Sequence, residues 1–191
     1  MIYKLNIFLG CLLLLSAFNS PLQAKANVLL DKSFWQTASV AEVEAALKRG
    51  ADIDARDEKN GGTPLHWAAG YSSEPMVVEL LLSRGAAINS RAIDGYTPLH
   101  VAAEQSKTPA VVELLLERGA DIDTRTEKTR STPLHIAALY NQTPDVLNVL
   151  LDRGANGTVR DKSGKTPFYY AWINKGLIAT KAYWRLNDIQ S

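Results

Sequence analysis

The tetrapeptide "TPLH" occurs at Thr63–His66, Thr97–His100 and Thr132–His135, and a near copy, "TPFY", at Thr166–Tyr169. The intervals are 97 − 63 = 34, 132 − 97 = 35 and 166 − 132 = 34 residues. Such a period belongs to stacked structural units rather than to one irregular core. One unit can be read from Gly61 to Arg91, "GGTPLHWAAGYSSEPMVVELLLSRGAAINSR". Thr63 suits a helix N-cap, where its side-chain oxygen meets a free backbone N–H, and Pro64 suits the first helical position, where a missing N–H costs nothing. Leu65, Ala68 and Ala69 then share one face, and the small alanines let a neighbouring helix approach closely. This helix is predicted to end near Gly70 to Ser73. A second helix starts at Pro75, as its counterparts do at Pro109 and Pro144, runs through Arg84 and stops at Gly85, a residue suited to the left-handed position after a helix.

The linking stretch Ala86–His100 contains Asp94-Gly95, the chemistry of a tight turn, and predicts a hairpin-like return to the next Thr-Pro. The phrases "RGADID", "RGAAIN", "RGADID" and "RGANGT" close four successive units in the same place. Two short helices enclose little interior. Stacking them buries each leucine row against the next, at roughly 1.5 to 3 kcal/mol per large side chain. The predicted fold is an all-α, elongated solenoid of helix-turn-helix units.

Composition narrows the function. Hydrophobic residues make up 46% and charged residues 21% of the 191, within the soluble globular range. Lys and Arg number 21 against 20 Asp and Glu, so no net field attracts nucleic acid, and no basic run marks a membrane surface. Lys4 precedes the apolar run Leu5–Phe18, then Asn19, Ser20, Pro21 and the small-residue pattern Ala24-Lys25-Ala26, the layout of a secretory signal peptide with cleavage expected after Ala26 or after Ala24. Its 14 apolar residues (18 − 5 + 1) fall short of the roughly 20 needed to span a bilayer. Cys11, the single cysteine, sits inside this run, so the mature chain would hold no disulfide or thiol chemistry.

These phrases resemble ankyrin repeats, with their Gly-x-Thr-Pro-Leu-His-x-Ala-Ala, Val-Val-x-Leu-Leu and Gly-Ala pattern, from about Ser33 to the end of the chain. The expected organisation is a signal peptide over 1–26, a degenerate capping repeat over 27–60, three repeats over 61–163 and a C-terminal capping repeat over 164–191. Each unit carries one residue more than the usual pattern between its second alanine and its valine. The connection Thr126–Ser131 is one longer than Ala92–Tyr96 and has no glycine, which leaves its hairpin shape open. Tyr183, Trp184 and Leu186 are expected to cover the last repeat.

His66, His100 and His135 occupy one place in successive units. Helices packed roughly 8 to 10 Å apart cannot bring three such rings within the roughly 2 Å of one metal ion. The imidazoles are therefore expected to bond their own hairpin and its neighbour. Neither a cofactor nor a metal site nor a catalytic set is expected. Asn141-Gln142-Thr143 and Asn156-Gly157-Thr158 fit the glycosylation sequon but lie in repeat turns.

The resemblance implies binding of another protein through hairpin tips and the exposed side of the first helices. The candidates there are Lys59, Asn60, Trp67, Tyr71, Ile93, Tyr96, Glu104, Gln105, Lys128, Arg130, Leu139, Tyr140 and Lys165. For Trp67 and Leu139, packing between repeats is an equal alternative. Tyr71, Tyr96 and Tyr140 favour binding. The leader pattern implies export, and with the cysteine-free mature chain it points to a bacterium and its periplasm; the resemblance adds the role expected there, a monomer that supports an enzyme or neutralises a toxin, with a secreted effector acting on a host protein as the alternative and an enzyme a remote one.

Overall fold

A computed structural model describes residues 27–189. The signal-peptide reading of residues 1–26, with Cys11, lies outside the described residues. The described chain forms two 3-10 turns, Val28–Leu30 and Phe34–Gln36, followed by α1 Val40–Lys48, α2 Pro64–Tyr71, α3 Pro75–Ser83, α4 Pro98–Gln105, α5 Pro109–Glu117, α6 Pro133–Tyr140, α7 Pro144–Asp152, α8 Pro167–Ile173 and α9 Lys181–Asp188. Among the described residues there is no β-strand. Helices α2, α4, α6 and α8 pack successively into an inner layer, and α1, α3, α5, α7 and α9 into an outer one.

The period seen in the sequence becomes one continuous interior. Leu65, Leu99 and Leu134, the alanine pairs at 68–69, 102–103 and 137–138, and Leu81, Leu115 and Leu150 are all fully buried. Each prolyl residue at 64, 98, 133 and 167 opens its helix at the first position behind a threonine N-cap in extended conformation. Outer helices α1, α3, α5 and α7 end alike, each with a glycine at positive φ. Gly85 adopts φ +92°, Gly85 N–H donates to Leu82 O at 3.0 Å and Ala86 N–H to Leu81 O at 3.0 Å. This paired closure satisfies carbonyls that the helix end would otherwise leave open. The extra residue per unit lies in the connection between the paired helices, where Ser72, Ser106 and Asn141 cap the first helix before the next proline.

The hairpin tips stand side by side and are joined through their backbones: Ile93 N–H to Asn60 O at 2.8 Å, Glu127 N–H to Asp94 O at 2.9 Å, Lys162 N–H to Thr129 O at 2.8 Å. The glycine-free connection closes too. Thr126 N–H donates to Ser131 O at 3.0 Å, and Arg130 takes φ +59°, the left-handed conformation that Gly95 holds at +76° in the preceding hairpin. Side chains hold this longer loop: the Thr126, Thr129 and Ser131 hydroxyls form a chain at 2.8 and 2.9 Å.

The first unit lacks an inner helix; the 3-10 turns take its place against α2, with Trp35 fully buried and its indole N–H donating to Leu29 O at 3.0 Å. At the other end Leu186 is fully buried and Tyr183 partly so, as a cover requires, but Trp184 is 53% exposed. The reason is rotational. Helix α9 buries Ala182 and Leu186, one turn apart, and Trp184 falls between them on the opposite side.

Candidate binding groove

The histidines set the spacing of the inner layer. In each of three junctions the imidazole Nδ1 accepts from the backbone N–H of the threonine cap, at 3.0 Å for Thr63–His66 and 3.2 Å for Thr97–His100 and Thr132–His135. Nε2 lies 3.1 to 3.2 Å from the carbonyl of Tyr96, Ser131 or Lys165 in the following unit. A carbonyl only accepts, so Nε2 carries the proton and the ring is neutral. Burial first of all pulls His66 and His100 down to about 4 and His135 below its ordinary value. Both nitrogens of each ring are thereby used in joining one unit to the next. Among the described residues no group of three or more His, Cys, Asp or Glu side chains could hold a metal ion.

With the inner helices and hairpins fixed in this way, residues about 34 positions apart become neighbours. Lys59, Trp67, Tyr71, Ile93, Tyr96, Glu104, Gln105 and Lys128, all named from the sequence, line one concave cavity of about 370 Å³ together with Asn60. Leu139 and Tyr140 line an adjoining hollow of about 100 Å³ that shares Tyr96 as its wall. Arg130 and Lys165 line neither: Arg130 serves the hairpin, and Lys165 Nζ sits 4.0 Å above the Tyr169 ring.

The groove is aromatic on one side and mixed in charge on the other. Trp67 stacks on Tyr71 with centroids 6.1 Å apart, and Lys32 Nζ lies 4.2 Å over the Tyr71 ring. Trp67 also packs against the core, so it serves both alternatives, packing and lining; Leu139 is likewise half-buried. Ile93 is 62% and Tyr140 52% exposed. The Tyr96 phenol is pushed up to about 12, by burial and then by Glu104, Tyr140 and Asp94, and stays a neutral donor. Lys128 pairs with Asp94 at 2.6 Å. Asp94, Val101 and Lys32 belong to this surroundings although sequence reasoning passed over them. Asp94 reads as turn chemistry and Val101 as core; Lys32 lies in the first unit, where no Thr-Pro phrase fixes the phase.

A family model described as "Ankyrin repeats (3 copies)" matches residues 36–126, and another, "Ankyrin repeats (many copies)", matches residues 115–171. The chain belongs to the ankyrin-repeat family. A relative, an ankyrin repeat protein of Fowlpox virus (strain NVSL), is 44% identical over 50 residues, which is 26% of this chain and 10% of the viral protein. Ankyrin repeats form protein–protein interaction modules, and this ankyrin-repeat protein carries its groove on the inner-layer and hairpin side of the stack. Among the described residues no helix is long and apolar enough to cross a membrane.

Proposed function

We propose that the groove running from Trp67 to Tyr140 holds a segment of another protein and that the chain performs no catalysis of its own. One observation carries this reading: side chains contributed by three successive units, dispersed from Lys59 to Lys128, converge on a single cavity rimmed by Trp67, Tyr71 and Tyr96. Aromatic anchors in a preformed hollow are the usual seat of binding energy, and a rigid scaffold lowers the ordering cost. The leader pattern at residues 1–26 and the absence of cysteine after Cys11 support an exported protein working in the periplasm, where it supports or inhibits its partner.

The test is affinity capture from periplasmic extract with the wild type and with Ile93→Ala/Tyr140→Ala, two side chains 62% and 52% exposed. Loss of a specific captured protein by the variant, at unchanged melting temperature, is the expected result. A variant that keeps every captured protein refutes the groove as the binding face. Cell fractionation, with the protein found in the cytoplasm, refutes the location alone.

A further inference from the structure

Of the ten large apolar side chains exposed among the described residues, six lie between Tyr169 and Ile189. Three of these stand at places where earlier units reach forward. Tyr169 holds the place of His66, His100 and His135, whose Nε2 atoms donate to the following unit. Trp172 holds the place of Ala69, Ala103 and Ala138, each fully buried. Matched on the fully buried leucine of each outer helix, Leu186 with Leu81, Leu115 and Leu150, Trp184 falls at the place of Glu79, Glu113 and Asn148, which meet Arg118, Arg153 and Arg185 of the next unit at 2.5 to 3.1 Å. At the last unit these side chains are 36%, 59% and 53% exposed. The end of the stack thus continues the interface that joins its units, with aromatic rings where alanine and glutamate stood.

Charge identifies what would cover it. Residues 27–163 hold 15 basic and 19 acidic side chains, whereas residues 164–189 hold four basic ones, Lys165, Lys175, Lys181 and Arg185, against Asp188 alone. Arg185 is engaged by Asp152 and Asn148. Lys165 sits over Tyr169, and Lys181 precedes Trp184 by three positions on α9, so lysine and indole share a side of that helix. A second copy fits poorly. Its first unit offers Val28 as its sole exposed large apolar side chain among the described residues, and two terminal faces set together would oppose lysine to lysine.

We propose that the face formed by α8 and α9 is a second docking surface, for a helix of an acidic partner protein whose apolar side seats on Trp172 and Trp184 and whose carboxylates meet Lys165 and Lys181. This surface is independent of the groove. Its probe is a helical peptide with leucines along one side and glutamates elsewhere, carrying a terminal fluorescein and followed by fluorescence anisotropy as the full chain is titrated into it, beside a counterpart with lysines for glutamates.

The acidic peptide is expected to bind. Trp172→Ala/Trp184→Ala should weaken it about tenfold or more, and Lys165→Glu/Lys181→Glu, which leaves both rings in place, should reverse the preference between the peptides. Ile93→Ala/Tyr140→Ala should change nothing, which separates this surface from the groove. The proposal is overturned if the acidic peptide does not bind, or if both peptides bind equally. It is also overturned if phosphatidylserine vesicles take up the protein through the two tryptophans, or if sedimentation finds a dimer that the tryptophan variant abolishes.

Discussion

Acid is the perturbation that probes the repeated cap most directly. Each imidazole is held neutral, its Nε2–H on a carbonyl of the next unit and its Nδ1 accepting the threonine N–H. A second proton on Nδ1 would set N–H against the threonine N–H and disrupt the cap, while Nε2–H keeps its carbonyl. The native ring resists that proton until about pH 4 for His66 and His100, while the unfolded ring takes it up near 6.5. Between those values the unfolded chain binds more protons than the native one, so stability is complete above pH 6.5 and falls as the pH drops towards 4. A displacement of this size corresponds to roughly 3 kcal/mol for each of the two rings, with His135 adding in the same direction. Set against the roughly 5 to 15 kcal/mol of a typical domain, the loss is a large share of the stack's stability.

Urea denaturation followed by circular dichroism across that range should give a slope of about 1.4 kcal/mol per pH unit for each titrating ring. Above about pH 5 few unfolded carboxylates titrate, and the slope belongs to the imidazoles. His100→Gln keeps a side chain able to cap the threonine N–H but removes one titrating group, so its slope should be smaller by one proton. Stability that stays level from pH 6.5 to 5, or a slope unchanged in His100→Gln, refutes the neutral-cap account.

Arg130→Gly should stabilise the chain by about 1 kcal/mol, since Arg130 holds a left-handed φ of +59° that glycine adopts without strain; a lowered urea midpoint would contradict this. Gly95→Ala should do the reverse, because φ is +76° and an added Cβ would meet the Glu127 backbone nitrogen at 3.0 Å. Asn141→Ala removes two bonds to Ala103 O and Ser106 O, at 2.9 and 3.1 Å, and one from Thr143 N–H at 2.7 Å. It should cost about 2 to 4 kcal/mol, with hydrogen exchange rising first where α4 meets α6. Trp35→Ala empties the buried first unit and should cost about 3 to 5 kcal/mol, read as a lower melting temperature.

What could be read from the letters was whatever obeys a local rule. A threonine cap, a proline at the first helical position and a glycine after the last one act within a few residues, so they mark helix ends without knowledge of the neighbours. The groove was legible for a different reason: in a stack, equal phase means adjacency, and Tyr71, Tyr96 and Lys128 meet because one period brings their units together. The same rule shows why the last unit misled. Tyr183, Trp184 and Leu186 are all apolar and close together, and residue type alone assigns them one task. Phase divides them: Leu186 lies at the inward place filled by Leu115 and Leu150, while Trp184 lies at the forward place filled by Glu113 and Asn148, and only the first is buried. Arg130 marks the opposite boundary. Nothing in its side chain announces a left-handed residue; the Thr126–Ser131 backbone bond and the hydroxyl chain impose it. In this chain, then, a side chain's place within the repeat, more than its chemistry, decides whether it builds the stack or faces a partner.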